Sequence, residues 1–492
     1  MQISLLLPLA AAALVVLATG ATAAESRPGL KPCRLKGVEH DALCGVLSRP
    51  LNPAEPAGKR VDIHYAVLPA LARNRKPDPV FFFAGGPGQS ARDVGGTVSR
   101  ILARLGYRRD VVLIDQRGTG LSAPLLCDEP PAAAPLVDAV DPDRQAAFLQ
   151  ACLSKLKTLP YGDLRQFTTT IAMQDADAVR QALGAEQINI VGGSYGTRAV
   201  LEYQRQFPKT VRRAVIDGVA PPDMVLPMAM STDNQSALDA LLAACKTDPA
   251  CAQRHPTLAE DWRALLARLP QQVRVQHPLT GVQEQLTLTR SFVLGLVRGP
   301  LYAPSLAAAL PMAVSEAAQG RFEALVGLGS VMGSRSTGRM AGGMHFSVVC
   351  AEDLPRLAQA TDRPGRDFGG AAVELYEKTC AQWPRGEVPA AFYSVPAAPA
   401  ATLVLSGGAD PVTPPRHGER VTKALGANAR HVVVPQAGHG VMSLPCMRDV
   451  LFRFIDAAAD ADALAVDATC AVGIPRPALF VPPGLAASGA GK

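Results

Sequence analysis

The apolar residues of this chain are concentrated in seven short runs, most of them continuous rather than alternating with polar positions. Continuous runs of this length are typical of strands that are buried on both faces of a parallel sheet. The runs cover residues 61–69, 79–86, 110–118, 188–193, 212–219, 402–408 and 431–438. They predict a sheet in which most strands are parallel.

Helical patterns lie between several of these runs. In the segment 169–184, four apolar residues recur at helical spacing and form one stripe: Ala172, Ala176, Val179 and Leu183. Thr169 or Thr170 is available as the N-cap of this helix and Gly184 as its C-cap. A last helix is predicted over 445–459. Strands that alternate with helices indicate βαβ units, and hence an α/β fold with a doubly wound, mostly parallel sheet.

One long segment interrupts this alternation. Residues 221–400 are mainly helical in pattern and rich in Ala and Leu, and strand-like sequence resumes only at Thr402. We therefore predict an α/β core formed by 25–220 and 401–475, with an inserted, mainly helical domain between them. The final segment, 476–492, is rich in Pro, Gly and Ala, and we expect it to form a loose tail.

The N-terminus predicts a secretory signal peptide over residues 1–24. An apolar run ends in small residues, with 21–23 as an Ala-x-Ala-like cleavage sequence and 22–24 as the alternative. No Lys or Arg precedes Arg27, so only the terminal amine is charged there. The competing interpretation is a transmembrane anchor, but Pro8 and several weakly apolar Ala residues disfavour it. We expect a secreted or periplasmic protein with no stable membrane span after cleavage.

The cysteines support export. Their number is even, at ten, and an even number combined with a signal peptide favours disulfides formed in an oxidising compartment. Because closing a short loop is favoured, we predict five local pairs: Cys33 with Cys44, Cys127 with Cys152, Cys245 with Cys251, Cys350 with Cys380, and Cys446 with Cys470. A zinc site would call for CxxC or HxxxH spacing, which the chain lacks, so we predict neither a metal nor a cofactor.

The charge of the chain argues against a nucleic-acid partner. The net charge is only +6 over 492 residues, and basic residues occur in short pairs such as Arg108 and Arg109. No run of five or more basic residues occurs. Such pairs are typical of solvated faces rather than of phosphate-binding surfaces.

Ser194 is the first candidate for chemistry. It lies in Gly192-Gly193-Ser194-Tyr195-Gly196, between the run 188–193 and a predicted helix. A G-x-S-x-G sequence in a tight turn from strand to helix is typical of a nucleophile elbow, where the glycines make room and the hydroxyl projects above the sheet. The alternative is an ordinary turn serine.

A nucleophilic serine needs a base and an orienting acid, which follow it in the order acid then histidine in this class of fold. Asp410 lies in a Gly-rich loop just after one predicted strand, and His439 lies in the loop after the next. The ends of parallel strands meet at one edge of a sheet, so both loops should open beside Ser194. Asp217 also ends a strand and is the alternative acid.

Acyl transfer also needs donors for an oxyanion. Ala84-Gly85-Gly86-Pro87-Gly88 follows a predicted strand directly, and residues without side chains let backbone N–H groups approach a ligand. We expect one donor from Gly85 or Gly86 and one from Tyr195. A plain tight turn is the alternative interpretation.

Taken together, these motifs resemble the α/β-hydrolase serine exopeptidases of the prolyl iminopeptidase and tripeptidyl aminopeptidase type. The resemblance spans roughly residues 30–472, and its final part, from about 380, is similar to the C-terminal region of the tripeptidyl aminopeptidases. Six segments carry it in order: GGPG (85–88), DQRGTGLS (115–122), GGSYG (192–196), IDGVAPP (216–222), GGADPVTPP (407–415) and AGHG (437–440).

The resemblance implies a nucleophile at Ser194, an orienting acid at Asp410 and a base at His439. It implies that the insertion caps the site and that acidic cap residues hold the free α-amine of the substrate, with Glu352 as the candidate and Asp353 beside it. The family commonly has His where this chain has Ala84, which removes one side-chain contact near the site. Asp115 and Arg117 of DQRGTGLS are expected to brace the surrounding loops.

The sequence therefore predicts an exported serine hydrolase that cleaves peptides from their free N-terminus, of prolyl or tripeptidyl type, through an acyl-enzyme. A carboxylesterase acting on small esters is the alternative, because a triad does not distinguish amides from esters. A binding protein that retained the fold without catalysis is the third hypothesis. The predicted partner is accordingly a peptide or small ester.

Overall fold

The computed structural model describes residues 29–334, 340–396 and 400–480. The predicted signal peptide, 1–24, lies outside the described residues, as does the part of the predicted tail from 481 to 492. Within the described ranges, no helix is both long and apolar enough to cross a membrane.

The strands form one large sheet and a separate hairpin. In chain order they are β1 Lys31–Cys33, β2 Ala42–Pro50, β3 Arg60–Leu68, β4 Val80–Phe83, β5 Val111–Ile114, β6 Ile188–Gly193, β7 Val211–Asp217, β8 Gln271–Gln276, β9 Gln283–Leu288, β10 Ala401–Gly407 and β11 Ala429–Val434. In the described chain the large sheet has nine strands in the order β1-β2-β3-β5-β4-β6-β7-β10-β11. From β5 to β11 its neighbours are parallel. This confirms the predicted mostly parallel sheet.

All seven predicted runs overlap a strand of this sheet, although several runs extend past the strand into the loop that follows it. The run 61–69 corresponds to β3, which pairs antiparallel with both β2 and β5. The sequence analysis missed β1 and β2, and also the hairpin of β8 and β9. These missed strands are antiparallel with their partners and lack a long continuous apolar run.

The helices of the described chain are α1 Gly95–Ile101, α2 Ala103–Gly106, α3 Leu136–Val140, α4 Pro142–Lys157, α5 Thr169–Ala182, α6 Tyr195–Gln206, α7 Leu226–Thr247, α8 Pro249–Arg254, α9 Leu258–Ala267, α10 Arg290–Leu301, α11 Pro304–Ala307, α12 Leu310–Ala318, α13 Glu323–Ser334, α14 Gly342–Glu352, α15 Ala371–Cys380, α16 Pro415–Leu425, α17 Pro445–Asp456 and α18 Asp460–Leu464. Helices α7 to α15 and the hairpin lie between β7 and β10, in the predicted insertion.

Three details of the predicted helices were wrong, one of them the C-cap of α5, which is Leu183 rather than Gly184. The N-cap of α5 is Thr168 rather than Thr169 or Thr170, because the Thr168 hydroxyl accepts from the N–H of Ile171 at 3.4 Å. The predicted last helix is followed by the short α18.

The core is built from both faces of the large sheet. Along β4, Phe81 and Phe83 join one buried apolar cluster, whereas Val80 and Phe82 join another on the opposite face. This alternation is what a strand between two layers of helices imposes. The inserted segment contributes most of a third cluster, in which Trp262 is fully buried.

The five predicted cysteine pairs are all present as disulfides, which confirms that part of the prediction. One of them, Cys350–Cys380, joins α14 to α15 within the inserted segment.

Candidate active site

Ser194 occupies the predicted turn between β6 and α6 and has φ 56° and ψ −126°. A positive φ is strained for a residue with a side chain, and such strain marks the nucleophile elbow. The flanking glycines are obligatory. A Cβ on Gly196 would lie 2.1 Å from the carbonyl oxygen of Phe83, and one on Gly192 would lie 2.3 Å from that of Gly196.

The structure brings Asp410 and His439 together. Asp410 follows β10, His439 follows β11, and Nδ1 of His439 lies 2.8 Å from Oδ2 of Asp410. The other oxygen of Asp410 accepts from the N–H groups of Val412 and Thr413, each at 2.9 Å. The carboxylate is therefore held in one orientation and directed at the imidazole.

Thr413 is a site residue that sequence analysis missed. Its hydroxyl donates to Oδ2 of Asp410 at 2.8 Å and lies 3.1 Å from Nδ1 of His439. The available signal was its position three residues after an Asp in a loop, where Ser or Thr commonly closes a local turn.

The protonation states of the pair are coupled. Burial disfavours the charged form of His439, but the charge and hydrogen bond of Asp410 outweigh it, so the pKa of His439 is raised. Burial likewise disfavours charge on Asp410, but His439 and the backbone donors outweigh it, and the pKa of Asp410 is lowered. Asp410 is thus suited to stabilise an imidazolium.

Asp217, the alternative acid, contacts backbone instead of the imidazole. It is fully buried at the end of β7, and its two carboxylate oxygens accept from the N–H groups of Val441 and Met442 at 3.0 and 2.8 Å. Burial raises the pKa of Asp217 to about 6. The geometry therefore favours Asp410 over Asp217 as the partner of His439.

A residue of the inserted segment contacts the histidine directly. Tyr302, at the C-cap of α10, accepts the backbone N–H of His439 through its carbonyl oxygen at 2.9 Å. The two rings meet edge to face with centroids 5.2 Å apart. No sequence signal pointed to Tyr302, because this contact joins segments more than 130 residues apart.

Of the expected oxyanion donors, Gly85 lies beside Ser194 and Tyr195 follows it directly in the chain. A Cβ built on Gly85 would lie 3.2 Å from the Cβ of Ser194, so the Gly85 backbone passes close to Ser194. The Gly85 N–H donates to Oε1 of Gln89 at 3.3 Å. Gly86 is the next residue along, with φ 115°, and Tyr195 is the first residue of α6. The loop between β4 and α1 therefore passes beside Ser194 at Gly85, whose N–H is engaged by Gln89 in this conformation.

Glu352 lies in the interior, at the end of a chain of hydrogen bonds that reaches Tyr195. Its two oxygens accept from the N–H and the hydroxyl of Thr169 at 2.7 and 3.0 Å. The Thr169 hydroxyl is 2.6 Å from the phenol oxygen of Tyr195, which also accepts from Gln116 at 2.9 Å. Burial raises the pKa of Glu352 to about 7.

Asp353, the second acidic candidate, is paired with Arg198. The guanidinium donates to both Asp353 oxygens at 3.0 Å, and its Nη1 lies 3.6 Å from Oε2 of Glu352. The side chains of Glu352 and Asp353 are both 0% exposed. Neither acid therefore presents surface to a ligand in this conformation.

Asp115 and Arg117 brace loops, as expected from the sequence. Asp115 accepts from the Ser90 hydroxyl at 2.6 Å and from the Leu121 N–H at 3.1 Å. Arg117 donates two hydrogen bonds to Asp175, at 2.7 and 3.0 Å. These contacts hold neighbouring segments of the chain in place.

The family assignment agrees with this fold and site. The chain matches the alpha/beta hydrolase fold family over residues 78–443 and belongs to that family. As the sequence predicted, it is a serine hydrolase. It is 27% identical to the serine protease Hip1 of Mycobacterium tuberculosis over 437 residues, covering 80% of this chain and 82% of that protein.

Two further similarities are more limited. The chain is 30% identical to the tripeptidyl aminopeptidase of Streptomyces lividans over 194 residues, which cover 36% of this chain and 35% of that protein. It is similar to the solved structure of the proline iminopeptidase of Mycobacterium smegmatis, with 16% identity and a TM-score of 0.35. That similarity covers 86% of this chain and 100% of the other.

Proposed function

We propose that this chain is an exported serine peptidase that cleaves peptides from their free N-terminus. The observation that carries the proposal is the 2.8 Å hydrogen bond between His439 and Asp410, in loops at the same sheet edge as the strained Ser194. The similarity to proteins named as a serine protease and a tripeptidyl aminopeptidase supports peptide substrates. Five disulfides support export, since they persist in oxidising compartments.

In the proposed reaction, Oγ of Ser194 attacks the scissile carbonyl while His439 takes its proton. Asp410 stabilises the imidazolium, and N–H groups of Gly85 or Gly86 and of Tyr195 stabilise the oxyanion. His439 then gives the proton to the leaving amine as the C–N bond breaks, which leaves an acyl-enzyme. Water, deprotonated by His439, hydrolyses the ester and restores Ser194.

The preference for a free N-terminus requires an acid that binds an ammonium group. Glu352 is the proposed acid, because each of its oxygens accepts one hydrogen bond from Thr169 and retains a further acceptor position. Asp353 is the weaker candidate, since Arg198 engages both its oxygens. Binding at Glu352 requires the groups that cover it to move.

The test of the nucleophile uses the mature, oxidised protein and a fluorophosphonate probe. We expect the probe to label the wild type at Ser194 and to leave Ser194→Ala unlabelled. Equal labelling of both proteins would exclude Ser194 as the nucleophile, and absence of labelling in both would favour a non-catalytic binding protein.

The test of specificity compares peptidyl anilides of one to four residues with free and acetylated N-termini. We expect the free forms to be cleaved and the acetylated forms to be poor substrates. Equal turnover of both would contradict amine recognition. Hydrolysis of short acyl esters without cleavage of any peptide would instead establish the esterase alternative.

The test of export is N-terminal sequencing of protein recovered from the exporting host. We expect the mature chain to begin after residue 23 or 24.

A further inference from the structure

A cavity of about 990 Å³ lies among α4, α7, α10 and α15, apart from the catalytic residues described above. Its walls are largely apolar and aromatic: Leu149, Leu153, Phe292, Phe368, Leu375 and Trp383. Cavities of this size and character are where proteins bind small molecules and peptide side chains.

One of the charged side chains that line this cavity is partly buried. Four charged side chains line it, of which Asp143, Glu374 and Lys378 are exposed, whereas Arg298 is half-buried. Throughout the parts of the chain that the structure describes, the guanidinium of Arg298 has no hydrogen-bonding or ion-pair partner. A half-buried guanidinium without a protein partner leaves its five N–H donors available to a ligand.

Arg298 is connected to His439 through Tyr302. It precedes Tyr302 by four residues at the end of α10, and side chains at this spacing lie about 6 Å apart on one helix face. Tyr302 in turn contacts His439. Burial raises the pKa of Tyr302, and the charge of Arg298 opposes that rise, as expected for close neighbours. The end of α10 therefore joins the cavity to the active site.

We propose that Arg298 binds a carboxylate of the substrate, so that the enzyme prefers peptides carrying a negative charge near the scissile bond. This inference rests on the proposed peptidase function. A planar guanidinium matches a carboxylate through two parallel hydrogen bonds, and the apolar walls accommodate the rest of the peptide. The same positive charge disfavours an ammonium group at this point, so the free N-terminus binds elsewhere.

The carboxylate has two possible sources, an acidic side chain of the substrate or the C-terminus of a short peptide. The experiment separates them with matched substrates for the mature, oxidised protein. One set exchanges Glu for Gln at each position flanking the scissile bond, and the other exchanges a free C-terminus for an amide. The measured quantity is the ratio of kcat/KM between the two members of each pair.

We expect the wild type to prefer the charged member of at least one pair by about 10- to 100-fold, as for hydrogen bonds to charged groups. Arg298→Gln should reduce this ratio to about one, and Arg298→Lys should retain part of it, because Lys keeps the charge without the paired donors. Lys378→Ala, at an exposed position on the same cavity, is the matched control and should keep the wild-type ratio. Ratios near one in the wild type, or an unchanged ratio in Arg298→Gln, would overturn the proposal.

A second measurement separates this proposal from the peptidase function. If the protein cleaves no peptide, the same peptides are tested as competitive inhibitors of ester hydrolysis. Stronger inhibition by Glu than by Gln peptides, lost in Arg298→Gln, would support the Arg298 site although the peptidase proposal had failed. Equal inhibition by both would reject the site. Matching thermal unfolding of the variants establishes that they are folded.

Discussion

The backbone N–H of Ser194 donates to the carbonyl oxygen of Asp217 at 2.8 Å. The carboxylate of the same Asp217 accepts from Val441 and Met442, in the loop that carries His439. One buried residue at the end of β7 therefore holds both the nucleophile turn and the histidine loop. The acid that the sequence analysis ranked second is thus a candidate positioning residue.

We predict that Asp217→Asn lowers kcat with little change in KM. An amide presents one oxygen and one NH₂ group, so one backbone N–H of the His439 loop would face a donor, at a cost of about 1–3 kcal/mol. Stopped-flow kinetics with an activated ester measure kcat and KM, and thermal unfolding measures the loss of stability. Asp223→Asn, at a partly exposed ion pair with Arg420, is the control and should change neither. Wild-type kcat in Asp217→Asn would show that Asp217 positions nothing.

The raised pKa of His439 predicts how activity depends on pH. A general base must be neutral, so activity should fall as the pH drops through the pKa of His439, which lies above the usual value of about 6.5. Asp410→Asn removes the main group that raises this pKa. The midpoint of the acid limb should therefore move to lower pH, while kcat falls by about 10⁴-fold, as for the same change in other Ser-His-Asp enzymes.

The kcat/KM profile of both proteins, measured from about pH 4 to about pH 9, gives this shift, since that range brackets the usual histidine pKa of about 6.5. A midpoint that stays in place in Asp410→Asn would contradict the assignment of Asp410 as the partner of His439.

Glu352 has two possible roles that kinetics can separate. If it binds the substrate amine, Glu352→Gln should raise KM for peptides with free N-termini and leave acetylated peptides and simple esters unaffected. If it acts only by holding Tyr195 through Thr169, Glu352→Gln and Thr169→Val should both lower kcat for every substrate, by about 5- to 150-fold for the loss of a buried partner.

Steady-state kinetics of the two variants with free, acetylated and ester substrates provide the comparison. A Thr169→Val protein with wild-type kcat would exclude the positioning role. Equal KM values of Glu352→Gln and the wild type for peptides with free N-termini would show that Glu352 does not bind the substrate amine.

The elbow should not tolerate a methyl group at Gly196. The added Cβ would lie 2.1 Å from a backbone oxygen of Phe83, and backbone cannot yield as a flexible side chain can. We expect Gly196→Ala to lower the unfolding temperature and to abolish probe labelling. Gly327→Ala, in α13 with no atom within 4 Å of the new Cβ, is the control and should be neutral or stabilising, since Ala favours helix by about 1 kcal/mol. Normal labelling of Gly196→Ala would contradict the steric argument.

Local patterns predicted the parts of the site that follow strands. Continuous apolar runs marked the buried parallel strands, and the residues just after them, Ser194, Asp410 and His439, became the predicted site residues because parallel strands place those loops at one edge. Antiparallel β1 and β2 and the hairpin of the insertion were missed, because half-exposed strands carry a weaker apolar signal. The cap contact from Tyr302 and the burial of Glu352 had no local signal.

The sequence by itself indicated seven strands of the large sheet, the glycines that the elbow requires, and the cysteine pairs that close short loops, because each depends on near neighbours in the chain. Only the tertiary structure decided which acid faces His439, what covers Glu352, and where Arg298 lies relative to the active site. Those relationships join residues separated by tens to hundreds of positions, so only the packing of distant segments against one another sets them.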